Sequence, residues 1–213
     1  MSWGHLRGCP FGSPAGSLAR PCYTHRVSIG MPTNRASSIS PEYPLLGLLR
    51  LVPGHGYQVH QRLERELGSL WKVHQNQAYN ILSRLEAAGM VRGAPGTKGL
   101  HARRKMSLTP AGRRRFDTWL RTPTGLSARA LRVDFLTRLY FAQRLDPELA
   151  HEIIDGQLAV TRDGVERLRR RSETDPDQGS VAELSDDLRL RHLKLVIEWL
   201  ESLHARIETP APG

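Results

Sequence analysis

The sequence predicts a mainly α-helical protein with one small β-wing, and three observations predict it. Apolar residues recur every three or four positions through most of the chain beyond residue 40. Ser-Pro or Thr-Pro pairs open those runs and Gly closes them, as at Ser40-Pro41, Gly68, Gly89 and Thr109-Pro110. Between residues 90 and 108 the helical period gives way to two short strand-like runs around Pro95-Gly96-Thr97-Lys98-Gly99.

Each element has its own local cause. Residues 1–39 are rich in Gly, Pro, Ser and Arg without sustained periodicity, which predicts a disordered basic tail, within which Met31 offers a second translation start. Ser40-Pro41-Glu42 supplies a cap, a first-turn proline and an early acid ahead of Leu45, Leu46, Leu48, Leu49 and Leu51, and Pro53-Gly54 stops that helix. A second helix is expected from His55 to Leu67, with Tyr57, Val59, Leu63 and Leu67 inward and Gly68 as its cap. Leu70, Trp71 and Val73 form a short apolar turn expected to pin the next helix from outside, as an outer brace.

A third helix is expected from Gln75 to Ala88, ending at Gly89, where the chain must leave through a left-handed conformation. Its inward side is Ala78, Leu82, Leu85 and Ala88. Strands at Met90–Gly93 and Ala102–Leu108 then pair as a hairpin, and a fourth helix runs from Thr109-Pro110 to Leu120. After a linker at Thr122–Gly125, helices are expected at Leu131–Gln143, Pro147–Arg171 and Val181–Ile207, the last two antiparallel and long. The predicted units are therefore the tail (1–39), a compact unit at 40–121 and a helical unit at 126–209.

The net charge is +10, and it is unevenly placed. Residues 1–40 carry four Arg and no acid; residues 41–122 carry 14 Lys and Arg against 5 acids, and residues 123–213 carry 13 against 16. A positive field concentrated in one unit predicts a polyanionic partner, because each neutralised phosphate releases a counterion. Cys9 and Cys22 both lie in the tail, so no disulfide framework is expected for the folded part, in keeping with a cytoplasmic protein. No apolar run approaches the roughly 18 residues of a membrane span, and the tail lacks the apolar stretch of a signal peptide.

Three short helices followed by a basic hairpin make the winged helix-turn-helix layout, in which the third helix enters the major groove. There an Asn or Gln side chain matches the N6/N7 edge of adenine and Arg matches O6/N7 of guanine. The outward face presents Gln75, Asn76, Gln77, Asn80 and Arg84. The wing adds Lys98, His101, Arg103, Arg104 and Lys105, suited to phosphates or a minor groove. Double-stranded DNA is the expected partner.

The run Leu45-Leu46-Gly47-Leu48-Leu49, then Pro53-Gly54-His55-Gly56-Tyr57 and Leu63-Glu64, resembles the opening of PadR-type transcriptional regulators. So do Tyr79-Asn80-Ile81-Leu82-Ser83-Arg84-Leu85-Glu86, Gly89-Met90-Val91, and Leu108-Thr109-Pro110-Ala111-Gly112-Arg113 leading to Trp119-Leu120. Arg138-Leu139-Tyr140-Phe141-Ala142 is similar to the family's helical C-terminal region. Asn80 stands where many members have Pro, and Asn76 where many have Gly. The resemblance implies a homodimer built through the C-terminal helices, binding a palindromic operator and repressing its target. It also implies that Tyr79 contacts DNA backbone, and that aromatics such as Trp119 and Trp199 hold a planar small-molecule effector. Two-fold pairing has an independent rationale, since tethering a second reader raises affinity through effective concentration.

Two other functional classes compete with this reading. A basic architectural or RNA-binding protein without sequence readout would use the charge but not the amides of the third helix. An enzyme is not expected: the ordered part has no P-loop, dinucleotide-binding turn, nucleophile elbow or paired metal-ligand motif, so neither cofactor nor metal is predicted. His5, Cys9, Cys22 and His25 lack the spacing of a zinc site.

Overall fold

In the computed structural model the described residues are 39–94, 104–174 and 180–208. The predicted tail, apart from Ile39, lies outside them. So does the wing segment 95–103, with Lys98, His101 and Arg103.

Helix α1 (Glu42–Leu51) lies at the centre of the N-terminal part. Leu45, Leu46, Leu48 and Leu49 are all buried because α2, α3, α4, α6 and the sheet pack around it, which is why its apolar residues do not keep to one stripe. The chain then makes a two-residue strand β1 (Gly54–His55) and enters α2 (Gly56–Leu67) and α3 (Gln75–Ala87). Strands β2 (Val91–Ala94) and β3 (Lys105–Leu108) pair antiparallel, with Val91 opposite Leu108 and Ala94 opposite Lys105. β1 adds to the other edge of β3, Gly54 opposite Met106, giving the order β1-β3-β2.

The stop signals act as their chemistry requires. Gly89 has φ of 69°, the left-handed region that a side chain resists, and its amide returns to the Glu86 carbonyl at 2.9 Å. Thr109 caps α4 (Pro110–Arg121), its hydroxyl oxygen accepting from the Gly112 amide at 3.1 Å.

Beyond α4 the chain is pinned rather than free. Gln157 accepts from the Thr124 amide at 2.8 Å and donates to the Thr124 carbonyl at 3.2 Å, satisfying both backbone polar groups of that buried linker residue. Ser127 caps a helical stretch comprising α5 (Ala128–Ala130), a π-helical turn (Leu131–Phe135) and α6 (Leu136–Leu145). α7 (Pro147–Thr174) and α8 (Val181–Glu208) follow, bridged by Arg171–Asp186, Arg162–Glu201 and His204–Asp155. Partner numbers rise on one helix as they fall on the other, so the pair is antiparallel. One hydrophobic cluster runs from Leu45 to Leu200, and Phe135, Phe141 and Ala142 belong to it together with the leucines of α1.

Four details differ from the sequence reading. Tyr57 is 41% exposed, directed to solvent from the first turn of α2 with its hydroxyl accepting from Gln61 at 2.7 Å. Ala88 is exposed because α3 ends one residue earlier, and Ile81 takes the inward place. Trp71 and Val73 are core residues rather than an outer brace. The helix expected from Leu131 starts three residues sooner, at its Ser127 cap.

Candidate nucleic-acid interface

The surface in question is built around α3. Ala78, Ile81, Leu82 and Leu85 point into the core, so the helical period carries Gln75, Asn76, Gln77, Tyr79, Asn80, Ser83 and Arg84 onto the exposed side. The N-cap residue His74 makes no side-chain cap, which leaves the first-turn amides of α3 to an outside acceptor.

Several contacts hold this helix at its angle. The His60 ring nitrogen Nε2 lies 2.8 Å from the Val73 carbonyl, fastening α2 to the turn that precedes α3. The Trp71 indole N–H donates to Thr137 in α6 at 2.7 Å. On the far side of α2, Arg62 donates to the carbonyls of Leu48 and Val52 at 3.0 and 3.3 Å, closing the C-terminus of α1.

Glu66 gathers Tyr140, Arg65 and Arg62 around one carboxylate. Burial raises that carboxyl, but the hydrogen bonds from Tyr140, Arg65 and Arg62 outweigh burial and leave it below its ordinary value. Burial and the bond to Glu66 push the Tyr140 phenol up to about 12. Deeper, the Arg138 guanidinium donates to Asp134 at 2.8 Å, both side chains 1% exposed. Burial there raises the Asp134 carboxyl and lowers Arg138, each against the pull of its partner.

A cavity of about 440 Å³ opens where the N-termini of α2 and α3 meet the sheet, lined by His55, Tyr57, Gln75, Tyr79, Arg104 and Met106. The Tyr79 ring lies over Gly56 so closely that a Cβ there would fall 2.6 Å from it. Arg104 is engaged within the protein: it donates to both carboxylate oxygens of Glu86, at 2.8 and 3.4 Å. Lys105 is exposed at the start of β3. Of the predicted residues, Gln75, Tyr79 and Arg104 share this cavity, Asn76, Gln77, Asn80 and Arg84 are exposed on α3, and Lys105 lines a neighbouring cleft with His55 and Gln58. The remaining predicted wing residues are outside the described part.

The two tryptophans have separate settings. Trp119 is 4% exposed, stacked on Tyr43 at 4.6 Å, with the Arg138 guanidinium 4.8 Å from its ring centre. Trp199 is 38% exposed and meets Phe135 edge-on. Among the described residues no group of three His, Cys, Asp or Glu is placed to hold a metal ion, and no helix is long and apolar enough to cross a membrane.

Residues 45–118, which hold α1 to α4 and the sheet, match the profile of the Transcriptional regulator PadR-like family. This part of the chain therefore resembles a PadR-like domain. A curated relative, the "Negative transcriptional regulator PadR" of Bacillus subtilis (strain 168), is 26% identical over 179 residues, covering 78% of this chain and 97% of its own. A crystal structure of Bacillus subtilis PadR in complex with operator DNA has 26% identity and a TM-score of 0.38, covering 78% of this chain and 98% of that one. Another, of the same protein with p-coumaric acid, has 23% identity and a TM-score of 0.36, covering 81% and 100%.

Within residues 45–118, sequence reasoning passed over Glu86, whose carboxylate holds Arg104. The available signal was its isolation: it is the only acid in α3, on a helix whose exposed side is otherwise neutral or cationic.

Proposed function

We propose that this PadR-like regulator is a homodimeric repressor that reads a palindromic operator with α3 and is released by a small-molecule effector. The observation that carries the reading is the division of α3, with Gln75, Asn76, Gln77, Asn80 and Arg84 all exposed while its apolar residues are buried. Amides and a guanidinium on a rigid exposed rod offer paired donors and acceptors to base edges. Tyr79 and Lys105, with Lys98, His101 and Arg103 of the wing, would hold the phosphates on either side. Repression is supported by the negative regulator of Bacillus subtilis that the chain resembles over most of its length.

Pairing is supported by α8. Val181, Leu184, Leu188, Leu195 and Trp199 recur at helical spacing and are 83, 66, 69, 63 and 38% exposed. An apolar stripe of that length on a two-helix unit is best covered by the same stripe of a second copy across a two-fold axis. Of the two tryptophans, Trp199 keeps free surface for a planar ligand, whereas Tyr43 and Arg138 occupy the surroundings of Trp119.

Selection of bound sequences from a random duplex pool at about 150 mM salt tests the reading. An enriched inverted repeat with half-site centres about 34 Å apart, or a multiple of that, is the expected result. Recovery of duplexes with no common sequence would replace it with the charge-only architectural or RNA-binding reading.

A further inference from the structure

A carboxylate on a DNA-reading helix repels phosphate unless something else employs it. Glu86 is employed three times over. Its Oε1 accepts from the Gly93 amide at 3.0 Å and from Arg104 Nη2 at 2.8 Å, and its Oε2 receives Arg104 Nη1 at 3.4 Å. Arg104 Nη2 also lies 3.4 Å from the Gly93 carbonyl. A Cβ on Gly93 would fall 2.9 Å from the Arg104 guanidinium carbon, so that group fills the space a side chain would need.

Gly93 lies in β2, where the chain leaves for the wing, and Arg104 is the residue at which it returns to β3. One carboxylate of α3 therefore fastens β2 and the residue just before β3. The side chains are 28% and 56% exposed, a setting in which an ion pair adds little to folding stability. Its bidentate geometry fixes direction instead.

We propose that Glu86 and Arg104 are a positioning pair for DNA recognition, Arg104 acting through Glu86 to set strands β2 and β3 against α3 rather than by touching phosphate itself. This rests on the DNA-reading function proposed above. The two modes of action predict opposite signs. If Arg104 bound phosphate directly, Glu86 would compete for it, and removing Glu86 would leave affinity unchanged or raise it.

The experiment measures operator affinity against salt for wild type, Glu86→Ala, Glu86→Gln, Arg104→Ala and the Glu86→Ala/Arg104→Ala double variant, with melting temperatures alongside. Each single alanine variant should weaken binding about tenfold, and the double variant by no more than either, because coupled residues are not additive. Glu86→Gln should fall between wild type and alanine, since its amide oxygen still receives the Gly93 N–H. The dependence of log affinity on log salt should be unchanged in Arg104→Ala, whereas a lost phosphate contact would reduce its slope by about 0.9. Tighter binding by Glu86→Ala, additive losses or a reduced slope would overturn the proposal.

Amide exchange of the free protein is an arm that needs no DNA. Glu86→Ala and Arg104→Ala should each lose protection at Gly93, Ala94 and Lys105. Unchanged protection sinks the bracket even if operator binding is sound. A wild-type chain that selects no duplex sinks the proposed function, and the exchange arm then decides the bracket alone.

Discussion

The Trp71 indole donates its one hydrogen bond to the Thr137 hydroxyl at 2.7 Å, between side chains 7% and 0% exposed. It joins the turn ahead of α3 to the helix that leads into the C-terminal pair. Thr137→Val should strand a buried indole N–H and cost about 1–3 kcal/mol in urea unfolding. A Trp71→Phe/Thr137→Val cycle should show coupling of at least about 0.5 kcal/mol, and strictly additive losses would mean the bond contributes nothing.

A second tie to α6, this one from α2, sets a pH window. The Glu66 carboxyl, held below 4.5, contributes stability above that value and loses it as pH falls through the folded-state pKa. The Tyr140 phenol, raised from 10.0 to about 12, favours the protonated folded state, so its contribution is complete below 10.0 and lost as pH climbs toward 12. The stability gap between wild type and Tyr140→Phe should therefore be flat, at about 1–2 kcal/mol, across neutral pH and shrink at both ends. Denaturation at five or six pH values checks this, and a gap that widens in alkali contradicts it.

Gly47 leaves no room for growth. A Cβ there would sit 2.3 Å from the Phe141 ring, which is itself wedged edge-on against Phe116 at 5.4 Å. Gly47→Ala should cost about 1–3 kcal/mol through overpacking, despite its better helix propensity. Phe141→Leu in the same chain should recover part of that loss, and its failure to do so would place the clash elsewhere.

What the sequence disclosed was whatever has a local cause. Gly89 and the Thr109-Pro110 pair ended and began helices where expected, because a left-handed residue and a capping hydroxyl act within one turn. β1 was invisible because Gly54 and His55 become a strand only by pairing with residues about fifty positions further on. Gln157 resembles any polar helix residue until its partner is seen to be the Thr124 backbone. Asp134 and Arg138, four apart on one helix, have the spacing of an ordinary surface pair, yet the packing of α6 against the N-terminal helices buries them both. At the candidate interface the exposed amides were legible from helical period, whereas the use of Arg104 by Glu86 depends on a contact 18 residues apart in sequence.

The α8 stripe should respond to charge. Leu188 and Leu195 are 69% and 63% exposed, so Leu188→Asp/Leu195→Asp should leave helicity intact while abolishing the dimer in sedimentation. Operator affinity should fall by about 100-fold or more as each reader binds alone. A variant that stays dimeric would move the pairing surface off this helix.

The reading face should separate from the phosphate-facing residues by how each loss depends on sequence. Asn80 and Gln77 project from α3 among side chains that the core does not need, so Asn80→Ala and Gln77→Ala should unfold like wild type. A bidentate amide contact to adenine discriminates by about 1–3 kcal/mol, and its removal should therefore weaken the selected operator while leaving random duplex binding nearly unchanged. Lys105→Ala should instead weaken both duplexes alike and reduce the salt slope by about 0.9, as loss of one phosphate contact requires. Competition binding of the three variants against operator and random duplex distinguishes these patterns. Equal losses on both duplexes from Asn80→Ala and Gln77→Ala would mean that α3 contributes charge and shape to binding but reads no bases.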